Sequence, residues 1–267
     1  MQLPGPGVFG PPRDRRQALA VLRRAVDSGV DHIDTAQFYG PDVANELIHE
    51  ALHPYPEALV LVSKVGAARN DQGGWLPAQR PEELRAGAEA NLRSLEVDQV
   101  PLINLRRHPE SDVSFVEQLD TMVEIRDEGL IGAIGLSNVN LDDYLSARSR
   151  TEIACVQNSY NLANREDQDL FDACADDGVP FVPFFPLGSA FSAESPVLEA
   201  PPVRQIAERL GASPAQVALA WLLAQAPTVL LIPGTSSLAH LEENLAASGL
   251  TLDEEDLAAL DQVGVAR

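Results

Sequence analysis

A single lysine stands among eighteen arginines in this chain, and it closes the apolar run ALVLVSK, at Lys64. Arginine serves wherever a surface cation is wanted, so a lysine kept at the end of a buried strand points to a task that guanidinium does not perform. The lysine ammonium is compact and shifts its pKa readily on burial, whereas arginine stays charged. Two chemistries follow: an ammonium that tunes a neighbouring acid, or an amine that attacks a carbonyl. A core ion pair with a carboxylate is the plain structural alternative. Other apolar runs also end in polar residues: Asp34, Arg106, Ser137 with Asn138, Gln157 with Asn158, and Gly234 to Ser237.

The elements that must position these groups alternate. Strands are expected at 30–34, 58–64, 102–106, 131–136, 154–158, 181–184 and 229–232. Helical patterns are expected at 15–28, 43–52, 81–95, 115–128, 141–149, 165–177, 201–210, 214–225, 237–247 and 253–262. Alternation of this kind predicts βα units and a parallel sheet. Pro81 followed by Glu82 and Glu83 suits a helix start, and Gly129 and Gly178 sit where helices should stop. Residues 1–12 and 185–202 read as loops. Polar strand ends converging on one face are the pattern of a (β/α)8 barrel, which places its site there. Seven strands are found where a closed barrel of this type needs eight.

Composition bounds the rest. The 267 residues fit one domain, taken as 1–267. A net charge of −21 and no basic run longer than two residues argue against nucleic acid or an anionic membrane surface as partner. No apolar stretch is long enough to span a bilayer. Cys155 and Cys174 lack metal-ligand partners at a familiar spacing, and no leader is evident, so no metal and a cytoplasmic location are expected. Oligomeric state is left open.

The runs GVDHIDTAQFYG (29–40), the strand ending at Lys64, GLSNV (135–139), VQNSYN (156–161), LIPGTSS (231–237) and HLEEN (240–244) together resemble an aldo-keto reductase, in family order over nearly the whole chain. The resemblance implies a nicotinamide-dependent (β/α)8 barrel that reduces aldehydes or ketones, usually with NADPH, through an Asp, Tyr, Lys and His tetrad. It carries over to Asp34, Tyr39 and Lys64. Hydride addition builds negative charge on the carbonyl oxygen, so a proton donor is needed. An adjacent ammonium is expected to bring the Tyr39 phenol toward the working range, with Asp34 holding Lys64 in place.

At the fourth position the chain departs from the pattern. LINLRRHP (102–109) puts Arg106 where the family has histidine, and period-two alternation turns Leu102, Asn104 and Arg106 to one face. A register shift would bring His108 there instead, at the cost of misplacing Asn104. The NLR run resembles a bacterial subgroup, some members of which are linked to pyridoxal reduction.

For the cofactor, the resemblance assigns Ser137, Asn138 and Gln157 to the nicotinamide carboxamide, Phe184 to stacking on its ring, and Pro186 and Leu187 to the same segment. Gly234, Thr235 and Ser236 offer amides and hydroxyls at a helix N-terminus, a natural phosphate site. Helix capping there by Ser236 or Ser237 is the structural alternative. His240 stands where relatives carry arginine near the 2′-phosphate, leaving NADPH against NADH open, and Glu243 with Asn244 match adenine contacts. Trp75 and Phe191 are candidate substrate aromatics, in a pocket closed by 66–80, 107–114 and 185–202.

Relatives also carry a preceding first barrel strand, so the chain is expected either to begin upstream or to form a barrel lacking that strand. Two other functions remain open at this stage, a nucleotide-binding regulatory or inactive reductase-like protein and a Schiff-base aldolase using Lys64.

Overall fold

A computed structural model describes residues 1–188 and 195–264. The chain separates into two compact units, Met1–Val156 with Gly234–Leu238, and Gln157–Pro233 with Ala239–Arg267.

The first unit alternates helix and strand: α1 (Arg15–Asp27), β1 (His32–Asp34), α2 (Val43–Leu52), β2 (Val60–Arg69), β3 (Trp75–Ala78), α3 (Pro81–Leu95), β4 (Val100–Arg106), α4 (Phe115–Asp127), β5 (Ile131–Ser137), α5 (Leu141–Arg148) and β6 (Val156–Gln157), whose first residue ends the unit. Side-chain caps set the helix starts. Asp14 accepts the Gln17 N–H, and the Glu83 carboxylate accepts the Arg80 N–H just ahead of Pro81. Asn140 and Asp143 form a reciprocal capping box at α5.

The strands lie in the order β1-β2-β4-β5-β6. The β1–β2, β2–β4 and β4–β5 ladders are all parallel. Order thus follows the chain without the reversal of a doubly wound sheet, which is the winding of a barrel. Helices supply the crossovers that parallel strands require. Residues 61–67 of β2 are buried without a break, as expected for a strand covered on both faces.

The second unit holds α6 (Gln168–Asp177), α7 (Pro196–Glu199), α8 (Pro201–Leu210), α9 (Pro214–Gln225), α10 (Leu238–Ala246) and α11 (Glu254–Asp261). Its core is aromatic. Tyr160 stacks on Phe171 at 5.0 Å and on Trp221 at 6.2 Å, and Phe181 meets Phe171 at 5.1 Å. The polar tips of two of these rings are satisfied, Tyr160 donating to Gln168 and Trp221 to Asp261.

Expectation and structure differ in four places. The apolar runs 181–184 and 229–232 form no strands; each makes only single bridges, Ser159 with Phe184 and Phe181 with Val229. An apolar run reports burial, and a ladder additionally needs a partner in register. Between 65 and 80, where no element is expected, β2 continues to Arg69 and pairs antiparallel with β3. Pro77 inside β3 hides that strand from sequence patterning, although an edge strand tolerates it. Finally, 185–202, expected as a loop, contains α7, while α8 starts at Pro201 as expected.

Candidate active site

Asp34 and Lys64 reach each other because β1 and β2 run side by side. Asp34 pairs in register with Val62, so Lys64 lies two residues further along β2, on the same face. The Lys64 ammonium is 3% exposed and has three protons to place. It donates to Asp34 Oδ1 at 2.5 Å and to the Thr35 carbonyl at 2.9 Å, and it hydrogen-bonds the Tyr39 hydroxyl. Burial alone would lower its pKa, but Asp34 and Tyr39 outweigh that and raise it. Lys64 is therefore a saturated ammonium, the opposite of the free amine that a Schiff-base nucleophile requires.

Tyr39 packs among Val8, Ala36, Phe38, Ala44 and Ala67, with the Phe38 ring edge-on at 5.3 Å. The Lys64 Nζ lies 5.1 Å from its ring centroid. Burial pushes the Tyr39 phenol above its ordinary value; Lys64 opposes this, Asp34 adds to it, and Arg106 opposes it most weakly. Lys64 lowers this phenol as expected, but the expected net shift toward the working range is corrected here. Removal from water is the larger effect, because it acts against any phenolate whatever its neighbours.

Behind the face that carries Asp34 and Lys64, the alternate residues Thr35 and Ser63 enter a buried polar network. Thr35 donates to Asn45 Oδ1 at 2.8 Å, Asn45 donates to Asn91 Oδ1 at 2.9 Å, and Ser63 donates to the same oxygen. The Asn91 amide returns to the Lys64 carbonyl at 3.3 Å and the Gly87 carbonyl at 2.9 Å. Helices α2 and α3 thus clamp the strand ends bearing Asp34 and Lys64. Sequence reasoning missed these asparagines. A signal existed, since Asn91 interrupts the buried stripe Leu84, Ala88, Leu95 of α3 at helical spacing.

Strand β4 contributes Asn104, which pairs in register with Lys64 on one side and Gly135 on the other. Asn104 is fully buried, and its Oδ1 accepts the Cys155 thiol at 3.2 Å. A Cβ on residue 135 would lie 2.0 Å from that oxygen, so only glycine fits. Two residues on, Arg106 pairs with Ser137 and ends the strand. His108 follows in the loop, its Nδ1 accepting the Glu110 N–H at 3.3 Å. Gln79 donates to the Arg106 carbonyl at 2.6 Å. At Gly66 the backbone takes φ +100°, and a Cβ there would meet the same carbonyl at 2.3 Å.

Trp75, on β3, stands over this corner. Its ring is 5.6 Å from Phe38 and 5.8 Å from the Arg106 guanidinium carbon. The Arg69 guanidinium lies over it at 4.1 Å and is held by the Gly7, Val8 and Gly73 carbonyls. Phe191 lies outside the described residues.

The Aldo/keto reductase family model matches residues 5–265. The chain belongs to that family. It is 50% identical over 268 residues to the pyridoxine 4-dehydrogenase of Escherichia coli K12, covering 98% of this chain and 92% of that protein. An oxidoreductase of Schizosaccharomyces pombe is 36% identical over 99% of this chain and 84% of its own length. Among solved structures, a thermostable aldo-keto reductase crystallised with the inhibitor epalrestat has a TM-score of 0.82 at 31% identity, covering 98% of this chain and 94% of that one. An aldo-keto reductase of Klebsiella pneumoniae crystallised with NADPH has a TM-score of 0.83 at 28% identity, covering 99% and 90%. The fold class is accordingly the (β/α)8 barrel, and the protein is an oxidoreductase of the carbonyl-reducing kind.

The remaining positions assigned from the aldo-keto reductase resemblance fall in both units. In the first, Ser137 is buried at the end of β5, and Asn138 takes a left-handed φ of 59° with its amide on the Arg107 carbonyl. Gly234, Thr235 and Ser236 precede α10. None of their three N–H groups is spent on another described residue, which suits an anion. The Ser236 carbonyl accepts from Gln17, and the Thr235 hydroxyl accepts the Ser237 N–H.

In the second unit Gln157 is buried, Phe184 is half-buried with its ring edge-on to Phe185, and Pro186 is buried. The Leu187 carbonyl accepts from Ser195. His240 is exposed on α10, the Glu243 carbonyl accepts from Gln216, and Asn244 donates to the Pro233 carbonyl. No cluster of metal-ligating side chains occurs among the described residues, and no helix there is long and apolar enough to cross a membrane.

Proposed function

We propose that the chain catalyses NADPH-dependent reduction of a small aldehyde to the alcohol, with pyridoxal or a related aromatic aldehyde as substrate. The observation that carries this reading is the Lys64 ammonium, whose protons go to Asp34, the Thr35 carbonyl and the Tyr39 hydroxyl. Such an arrangement suits proton donation from Tyr39: as the phenol gives up its proton to the carbonyl oxygen, the fixed ammonium stabilises the phenolate left behind. Asp34 keeps Lys64 charged, and the Thr35 to Asn91 network keeps it from moving. Arg106 adds a second donor toward the developing oxyanion.

The residues present fit NADPH. In the first unit the unspent amides of 234–236 would take a phosphate and Ser137 and Asn138 would face the carboxamide; in the second, Gln157, Phe184, Pro186, Leu187, His240, Glu243 and Asn244 are the positions that the family resemblance assigns to the cofactor. When bound, this group supplies the hydride. The Klebsiella relative crystallised with NADPH and the pyridoxine 4-dehydrogenase relative support the choice of cofactor and of substrate class.

The test is NADPH oxidation with a panel of aldehydes including pyridoxal, run beside Tyr39→Phe. Turnover by the wild type, reduced roughly a hundredfold to ten-thousandfold in the variant, is expected. NADPH binding without turnover of any carbonyl would instead favour a regulatory protein that keeps only the nucleotide site.

A further inference from the structure

Two adjacent arginines end and follow β4, and the structure treats them differently. Arg107 forms an ion pair with Asp143 and lies 5.2 Å from the Phe115 ring. The Arg106 guanidinium is half-buried beside Tyr39 and has neither an ion pair nor a side-chain hydrogen bond among the described residues; its one ring neighbour is Trp75. With 40 acidic residues against 19 basic ones, carboxylates are not scarce in this chain. A half-buried planar cation whose donors meet no protein acceptor is left free to give them to another molecule. A lone carbonyl oxygen occupies one N–H direction of the fork. Two oxygens side by side occupy two, the geometry in which guanidinium binds best.

We propose that Arg106 selects carbonyl substrates bearing a second oxygen on the carbon β to the carbonyl, above all planar aromatic aldehydes with an ortho hydroxyl or phenolate. This rests on the carbonyl-reduction reading above. One guanidinium N–H takes the reacting oxygen and the neighbouring N–H takes the ortho oxygen, while Trp75 provides a flat wall for the ring. Hydride goes to the carbonyl carbon and the Tyr39 proton to its oxygen; Arg106 stays charged, and the ortho oxygen is unchanged by the reaction. Pyridoxal is one molecule of this class, since its hydroxyl neighbours the aldehyde-bearing carbon. Histidine at the same place offers one ring N–H and no fork.

The experiment compares kcat/KM for 2-hydroxybenzaldehyde and 4-hydroxybenzaldehyde with NADPH, in the wild-type chain and in Arg106→His. The para isomer keeps the electronic effect of the hydroxyl and moves its oxygen out of reach. The expected ortho-to-para ratio is on the order of tenfold or more in the wild type, falling to within about twofold of unity in the variant, the range a charge-assisted hydrogen bond gives. A wild-type ratio near unity would overturn the proposal, as would a ratio that survives in Arg106→His, because intrinsic reactivity is the same for both proteins. If that variant does not fold, inhibition of the wild type by 2-hydroxybenzyl against 4-hydroxybenzyl alcohol decides, equal constants overturning the proposal. Reduction of both aldehydes at equal efficiency sinks the selectivity alone; reduction of neither, nor of pyridoxal, sinks the carbonyl-reduction reading with it.

Discussion

The strand ends that carry Asp34 and Lys64 are held several times over, whereas Phe184 and Val229 are each held by a single bridge. In the first unit, parallel ladders join β1, β2 and β4, and the Thr35, Asn45, Ser63 and Asn91 side chains tie two of these strands to α2 and α3. In the second unit the corresponding segments rely on isolated bridges, an Asn161 hydrogen bond to the Phe185 carbonyl and the stacked aromatic core. The difference matches what the proposed roles ask of each region. Proton transfer demands donors fixed to a fraction of an ångström, and redundant backbone pairing supplies that. A ring that only has to stack tolerates looser support.

The sharpest way to break this comparison is at its best-held point. Lys64→Met should lower kcat for aldehyde reduction roughly a hundredfold to ten-thousandfold while NADPH binding, followed by fluorescence, persists. Loss of NADPH binding together with kcat would show that Lys64 organises the fold of the site more than the chemistry. A smaller effect separates the two regions directly. Asn91→Ala leaves buried partners unsatisfied and should cost about 1–3 kcal/mol in urea unfolding, with a measurable drop in kcat because the Lys64 backbone loses its clamp. Tyr160→Phe removes one hydroxyl bond in the aromatic core and should cost about 1 kcal/mol with kcat unaltered. Equal kinetic effects from these two variants would erase the distinction between the regions.

The smallest expected effect is in the pH profile. The Tyr39 phenol is raised by burial, so the donor stays protonated beyond the ordinary phenol range. The rate of reduction should therefore be flat through neutrality and fall only at high pH, as the proton is lost. A fall centred near neutrality would mean that Lys64 and Arg106 outweigh burial once substrate is present.

Much of this architecture could be read from the sequence because local chemistry dictates it. Capping residues such as Asp14, Ser114 and Asn140 set helix starts within a residue or so of the expected positions. Period-two parity put Asn104 and Arg106 on one face, and the register agrees. What escaped depends on partners distant in sequence. Residues 181–184 and 229–232 are apolar enough for strands, yet pairing is a property of two segments. Asn45, Ser63 and Asn91 look like unrelated polar residues until helix and strand bring them together. The sign of the Tyr39 shift could not be read at all, since it compares burial with charge at distances no spacing reveals.

Gly135 and Asn104 illustrate a constraint of another kind. Because a Cβ at 135 would sit 2.0 Å from the Asn104 side chain, the two positions form one unit of change. A larger residue at 135 becomes admissible only after 104 has shrunk and the Cys155 sulfur, 2.9 Å from the same point, has given way, and a shrunken 104 leaves that thiol without its acceptor. Substitution at 135 therefore waits on substitution at 104, whereas 104 can change first, and the order of those two steps is imposed by packing.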